Sequence, residues 1–345
     1  MNPLATDLDH ILAHTDGLWE ELRGQRIFIT GGTGFFGCWL LESFAWANDK
    51  LGLNASAVVL TRNVDAFRQK APHLVSHPAI QFHTGDVRTF AFPADGFSHV
   101  IHAATEASAK LNQENPLLML DTIVEGTRHT LDFAADCGAK KFLLTSSGAV
   151  YGKQPSDMMQ IPEEYTGGPD PLDPASAYGE GKRMAELLCA LYQQQHGLET
   201  KIARCFAFVG PYLPLDAHFA IGNFIRDALR GGPIQVNGDG TPYRSYLYAA
   251  DLAIWLWTIL LKGEACRPYN VGSDDDHTIH KVAEQVADAC RPPAGVRRAR
   301  NPLPCQLVTR YVPSTARAQT ELSLHQWINL SSAIEKTQIA ARDAR

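Results

Sequence analysis

The chain has 345 residues, and 31 basic against 37 acidic side chains leave a formal net charge of −6. Apolar residues make up 45% and charged residues 20%, the balance of a soluble globular protein with length for about two domains and a sizeable core. Mild acidity argues against a nucleic-acid backbone binder, the seven scattered cysteines contain no Cys-x-x-Cys, and no run reaches the ~20 apolar residues of a membrane span.

The opening segment, MNPLATDLDHILAHTDG, lacks the basic start and apolar run of a signal peptide, so a cytoplasmic protein is expected. Leu8, Ile11, Leu12, Leu18 and Leu22 predict a helix over 6–22, capped by Thr6 or Asp7. His10 and His14 stand one turn apart on it, but no third ligand lies nearby, so no metal site is expected. From Arg26 onward RIFIT (26–30), AVVLT (57–61), IQFHTG (80–85), HVIHAA (99–104), KFLLTSS (141–147) and KIARCFAFVG (201–210) read as strands. Helices are predicted over 35–47, 64–73, 115–136 and 178–196. Apolar strands alternating with helices imply an α/β fold, a Rossmann-type doubly wound parallel sheet covered on both faces.

After Pro211 glycine and proline become frequent and the elements shorten. The predicted division is a helical extension (1–24), a dinucleotide-type domain (25–210) and a smaller mixed α/β domain (211–345), some segments of which return to the first sheet. LAIWLWTILL (252–261) is about half a membrane span and reads as a buried helix. Asp274–Asp276, with His277 and His280 following, read as an acidic loop opening a helix rather than a metal site.

The first strand runs straight into Gly31-Gly-Thr-Gly34-Phe-Phe-Gly37 and a helix. Without side chains the backbone can turn sharply and approach a pyrophosphate, and the helix start offers free N–H groups. Gly31, Thr33, Gly34, Phe35, Phe36 and Gly37 are therefore expected to bind a dinucleotide. The second strand ends in Thr61 and Arg62, where NAD binders carry an acid for the ribose 2′-hydroxyl. A guanidinium suits a 2′-phosphate, which favours NADP and leaves NAD open.

Tyr178 and Lys182 lie one helical turn apart and so share a face. An ammonium beside a phenol favours the phenolate and makes the tyrosine a usable general acid or base. Ser147, with Ser146 as the alternative, ends a strand at the edge where a doubly wound sheet binds its ligand.

TGGTGFFG (30–37), SGAVYG (147–152) and YGEGK (178–182) together resemble the extended branch of the short-chain dehydrogenase/reductase superfamily, and within it the nucleotide-sugar epimerase/dehydratase group. HAATEAS (102–108), DTIVEGTRHTLDFA (121–134), RCFAFVGPY (204–212), GNFI (222–225), RSYLYAADLA (244–253) and YNVGS (269–273) extend the likeness in order. The resemblance implies that Ser147 bonds the substrate oxygen, Tyr178 moves the proton, and Lys182 acidifies Tyr178 while holding the nicotinamide ribose. It implies cofactor contacts at Asp86, Val87, Ala103 and Ala104, and contacts to a nucleoside-diphosphate sugar at Glu106, Asn223, Arg244 and Arg310. A homodimer built on the helices 115–136 and 178–196 is also implied, with Leu187, Leu188 and Leu191 either at its interface or in the core. Ala207 stands where many relatives carry asparagine. The segment 152–177 either lies over the substrate or forms an exposed loop.

In this group the 4,6-dehydratases carry Asp-Glu directly after the serine or threonine, and the uronate decarboxylases a glutamate at the second position. Gly148 and Ala149 stand there and move no proton. The expected reaction is therefore redox at one sugar carbon, C4: an epimerase first, an NADPH-dependent 4-keto reductase as the alternative. Dehydration and decarboxylation carry less weight, and a non-catalytic dinucleotide binder least.

Overall fold

The computed structural model describes residues 2–94, 96–105, 109–217, 219–290, 293–303 and 308–343. Strands β1 (Arg26–Thr30), β2 (Ser56–Thr61), β3 (Ile80–Thr84), β4 (His99–His102), β5 (Lys141–Ser147) and β6 (Glu199–Cys205) are parallel and lie in the order β6-β5-β4-β1-β2-β3. Phe28 points into one apolar layer with Phe97, Phe133 and Phe142, while Ile27 and Ile29 point into the other with Trp39 and Phe44. That alternation is what a strand imposes, and it explains why the inner strands are apolar throughout.

Helices α1 (Ala5–His14), α2 (Phe35–Leu51), α3 (Val64–Lys70), α4 (Pro72–Val75), α5 (Ala109–Glu114), α6 (Pro116–Asp136) and α7 (Ala177–His196) are the first half's remaining regular elements. The predicted helix over 6–22 stops at His14, because Gly17 takes a left-handed φ of 71° and the Thr15 hydroxyl bonds back to the Ile11 carbonyl. A separate short turn follows at Trp19–Leu22. Pro72 likewise divides the helix expected over 64–73, since the residue before a proline is pushed out of the helical region.

Beyond β6 the chain forms β7 (Phe208–Val209), α8 (Ala220–Leu229), β8 (Ile234–Val236), β9 (Tyr243–Ser245), β10 (Leu247–Tyr248), α9 (Ala249–Lys262), β11 (Pro268–Val271), β12 (Asp276–Thr278), α10 (Ile279–Asp288), β13 (Val296–Arg298), β14 (Arg310–Tyr311), α11 (Ala316–Leu322) and α12 (Leu330–Asp343). The strand expected over 201–210 leaves the main sheet after Cys205, and β7 pairs with β10 instead. β11 returns as the seventh strand beside β6, and α9, buried along nearly its whole length, packs against β5, β6 and α2. At 14 residues α9 cannot span a bilayer, and no described helix is long and apolar enough to do so. Small sheets β12-β9-β14 and β8-β13 complete the second half. The order of the main sheet reverses between β1 and β4, so the loops after those strands diverge and open a crevice at the C-terminal edge.

Candidate active site

The glycine turn occupies that crevice. Gly31 has φ 71°, and a Cβ on it would run into the Ala103 and Ala104 backbone at the end of β4. A Cβ on Gly37 would strike Gly32, which seats the first turn of α2 hard against the loop. Gly34 is the N-cap of α2, and a Cβ there would meet only the Gly31 carbonyl at 3.3 Å, so its outer side is open. The groove above has a volume of about 570 Å³. Gly31, Thr33, Gly34, Arg62, Asp86, Val87, Ala103 and Ala104 all line it. Phe35, Phe36 and Gly37 stand instead in the first helical turn, where Phe36 packs edge-on against Phe208 at 5.0 Å.

Cations gather at the end of the groove where β2 and β3 finish. Arg62 is exposed on the wall, and Lys70 Nζ reaches across from α3 to the Thr33 carbonyl at 3.0 Å. The Arg88 guanidinium donates twice to Asp86, at 2.9 and 3.1 Å, its backbone N–H donates once more at 3.0 Å, and together they hold the carboxyl down at about 2. Sequence pattern marks Arg62 and Asp86, whereas Lys70 and Arg88 belong to no motif that would announce them.

At the other end β5 delivers Ser147, whose hydroxyl accepts from the Ala149 N–H at 3.1 Å. Ser146, one residue earlier, donates to Glu186 at 2.5 Å and is committed there. Tyr178 sits in the first turn of α7, fixed by its N–H donating to Asn112 Oδ1 at 3.0 Å. A Cβ on Gly179 would come within 2.8 Å of the Ala149 carbonyl, so glycine lets α7 press onto the turn after Ser147. Burial raises the Tyr178 phenol to about 12, and the adjacent Ser147 hydroxyl draws it back down. Lys182 is buried, and its Nζ donates to the Thr145 carbonyl and the Thr105 hydroxyl, both at 2.8 Å. Desolvation lowers it to about 8. The ammonium lies 6.0 Å from the Tyr178 ring centroid.

The second half brings a residue that no motif announced. β14 runs parallel to β9 with Tyr311 opposite Arg244, and the Tyr311 hydroxyl stands 2.8 Å from where a Cβ on Gly148 would lie. Its ring packs against Phe206 with centroids 4.7 Å apart, and Arg244 lies 5.8 Å from its centroid. Arg310 falls on the opposite face of the strand, as alternation requires. It pairs with Asp276 at 2.5 Å and stacks on Tyr243 at 3.9 Å, so its guanidinium is engaged away from Ser147. Asn223 lies near the start of α8 and accepts from Arg226 at 2.8 Å. Glu106 lies outside the described residues.

The segment 152–177 is stapled to the strand carrying Tyr311. Ile161 N–H donates to the Val312 carbonyl, Ser314 N–H to the Ile161 carbonyl, and Val312 N–H to Gln154 Oε1, each at 2.9 Å. His10 bonds buried Asp251 at 3.1 Å, and His277 bonds Asp275 at 3.1 Å. Among the described residues no group of side chains is arranged to hold a metal ion, and the described cysteines form no disulfide.

Residues 27–272 match the NAD dependent epimerase/dehydratase family. The chain belongs to that family. Among curated relatives, this family member is 33% identical over 279 residues to UDP-glucuronic acid decarboxylase 6 of Arabidopsis thaliana, covering 80% of this chain and 78% of that protein. It is 32% identical over 269 residues to UDP-glucuronic acid decarboxylase 1 of Xenopus tropicalis, covering 77% and 61%. Among solved structures, DesIV, a dTDP-glucose 4,6-dehydratase from Streptomyces venezuelae with NAD and TYD bound, superposes with a TM-score of 0.78 at 24% identity, covering 92% and 97% of the two chains. The UDP-glucose 4-epimerase of Thermus thermophilus in complex with NAD superposes with a TM-score of 0.74 at 25% identity, covering 93% and 100%.

Proposed function

We propose that this chain is an NAD(P)-dependent enzyme that modifies a nucleoside-diphosphate sugar by hydride transfer at a ring carbon, C4. One observation carries the reading: Ser147, Tyr178 and Lys182 converge beside the glycine-lined groove. The residues at the groove fit a dinucleotide: the open side of Gly34 and the first turn of α2 for the pyrophosphate, Arg62 and Asp86 at the adenosine end, Lys182 at the nicotinamide end. A bound dinucleotide supplies the hydride carrier; the protein supplies position and the proton path. Tyr178 Oη exchanges the proton with the sugar oxygen, Ser147 donates a hydrogen bond to that oxygen, and the Lys182 ammonium favours the phenolate. Arg244 and Asn223 are the residues proposed for the diphosphate, with UDP the nucleotide of first choice on the names of the relatives.

Epimerisation is the reaction this set supports best. Oxidation and return of hydride at one carbon needs one proton-exchanging group, and Gly148 and Ala149 supply no second acid or base. A second reading, decarboxylation of UDP-glucuronate, is favoured by the curated relatives, although Ala149 stands where the resemblance puts the decarboxylase glutamate. A 4-keto reductase is favoured by Arg62. One experiment separates the three: the protein is incubated with UDP-glucose, UDP-glucuronate, or a UDP-4-keto sugar plus NADPH, and products are read by NMR with the nicotinamide absorbance. Interconversion of UDP-glucose and UDP-galactose without net nicotinamide change is expected. Loss of carbon dioxide from UDP-glucuronate, or stoichiometric NADPH consumption, selects the other reactions. Full activity of Tyr178→Phe overturns all three.

A further inference from the structure

The first four N–H groups of a helix have no acceptor within it, and a side chain at the N-cap, reaching in from extended backbone, ordinarily supplies one. α7 has a serine there, but the turn Pro174–Ser176 runs straight into the helix, leaves Ser176 at φ −77° and ψ −7°, and its hydroxyl makes no capping bond. The acceptor comes from elsewhere in the chain. Asn112 of α5 takes the Tyr178 N–H on Oδ1 at 3.0 Å and donates from Nδ2 to the Ala175 carbonyl at 2.8 Å. One amide brackets the turn that starts the helix, and with an N–H on one side and a carbonyl on the other it has a single orientation.

The part of the chain that supplies Asn112 also walls the groove. Thr105 and Leu111 line it beside Ala103 and Ala104. The Thr105 hydroxyl accepts from Lys182 Nζ and donates to the Ala104 carbonyl, both at 2.8 Å. The Lys182 ammonium and the Tyr178 amide are thus both bonded to side chains from the wall of the groove, Thr105 and Asn112. α5 itself contains no fully buried residue, so packing contributes little to its placement and the two bonds of Asn112 tie it to the start of α7. The N–H that Asn112 holds belongs to Tyr178, so this bond sets the main chain from which the phenol projects. A displacement of about 1 Å at a reacting group can cost on the order of a hundredfold in rate.

Resting on the hydride-transfer reading above, we propose that Asn112 is a positioning residue: it caps α7 from the wall of the cofactor groove and so sets where the Tyr178 phenol stands against the dinucleotide. Asn112 touches neither the substrate nor the moving proton in this scheme. It acts through the Tyr178 main chain, and the sugar proton still passes to and from Tyr178.

The test compares Asn112→Ala, Asn112→Asp and Ser176→Ala. Alanine at 112 removes both bonds, whereas aspartate keeps an acceptor for the Tyr178 N–H and adds a charge that a helix N-terminus favours. Ser176→Ala removes the hydroxyl that local capping would use. Asn112→Ala is expected to lower kcat about tenfold with KM within about twofold, Asn112→Asp to stay within about threefold of wild type, and Ser176→Ala within about twofold. A second readout needs no turnover: amide hydrogen exchange of the ¹⁵N-tyrosine-labelled protein saturated with NAD⁺ or NADP⁺. The Tyr178 amide is expected to exchange about tenfold faster in Asn112→Ala, the worth of one hydrogen bond, and near the wild-type rate in the other two. Tyr192, further along the same helix, is expected to keep its rate in all three. An unchanged kcat in Asn112→Ala, a loss confined to KM, an Asn112→Asp or a Ser176→Ala as poor as Asn112→Ala, or a Tyr178 amide indifferent to Asn112 would overturn the proposal. If the wild-type protein turns over no nucleotide sugar, the hydride-transfer reading fails by itself, while the exchange rates still decide whether Asn112 holds Tyr178.

Discussion

Two side chains on opposite ends of the groove make their charge felt in measurable ways. Arg62 is exposed at the β2–β3 end of the groove with Lys70 and Arg88 near it, but Arg88 is spent on Asp86 and Lys70 on the Thr33 carbonyl. Arg62 is thus the guanidinium left to meet a 2′-phosphate. Arg62→Ala is expected to weaken NADP⁺ binding about tenfold, one charge-assisted contact, and to leave NAD⁺ nearly unchanged; calorimetric titration measures both. Equal wild-type affinity for the two cofactors would remove the phosphate role from Arg62. Lys182 presents the reverse situation, a cation held down to about 8 by desolvation. Between pH 8 and its ordinary value of 10.5 the unfolded chain keeps a proton that the folded chain has released, so stability rises with pH across that window. Lys182→Met lacks this contribution. Wild type is therefore expected to gain roughly 3 kcal/mol on the variant between the two pH values, read from urea midpoints, since each tenfold change in proton affinity is worth about 1.4 kcal/mol. A constant difference would show that Lys182 is not held in the low-pKa state.

At the level of elements, α1 behaves as a clamp on α9. Asp7 accepts from the Tyr248 hydroxyl and from Lys336, both at 2.7 Å. Fully buried Asp251 bonds His10 and takes the backbone N–H groups of Trp327 and Ile328, both at 3.0 Å. Asp251→Ala strands those two amides, and a cost of about 3 kcal/mol is expected in urea denaturation. His14→Ala, on α1 one turn beyond His10 but exposed, is expected to change stability by less than about 0.5 kcal/mol. The two histidines were legible as a pair, but His10 was not legible as the partner of Asp251, 241 residues away. Elements whose cause is local were readable: β1 and β5 run over the predicted residues because an unbroken apolar strand needs only two-sided burial. The end of α1 was not, since the apolar period continues past Thr15 and Gly17, whose backbone angles leave the helical region. Nor was Tyr311, which sits on a two-residue strand whose register with Arg244 is set by distant loops. Arg310 carried the more conspicuous charge, and strand alternation turned it to Asp276.

At the scale of the whole molecule, the outer face of α6 and α7 exposes an apolar stripe that the fold itself does not cover. Met184, Leu187 and Leu191 are exposed at spacings of three and four along α7, which puts them in one stripe, and Leu117 on α6 is 71% exposed. Leu188, read from sequence together with Leu187 and Leu191, turns inward against the layer containing Phe142 and Leu144. Water-facing leucines at helical spacing on two packed helices fit a partner of the same shape, and a two-fold axis would set α6 and α7 against their copies in a four-helix arrangement. The same helix carries Tyr178 and Lys182, the residues proposed for catalysis, so pairing would brace it from behind. Leu187→Glu places a charge in the centre of the stripe, next to its own image across the axis. Wild type is expected to sediment at twice the chain mass and the variant at the chain mass, with the far-ultraviolet spectrum unchanged. A monomeric wild type at micromolar concentration would leave the stripe to another partner, and a dimeric Leu187→Glu would move the interface elsewhere on the surface.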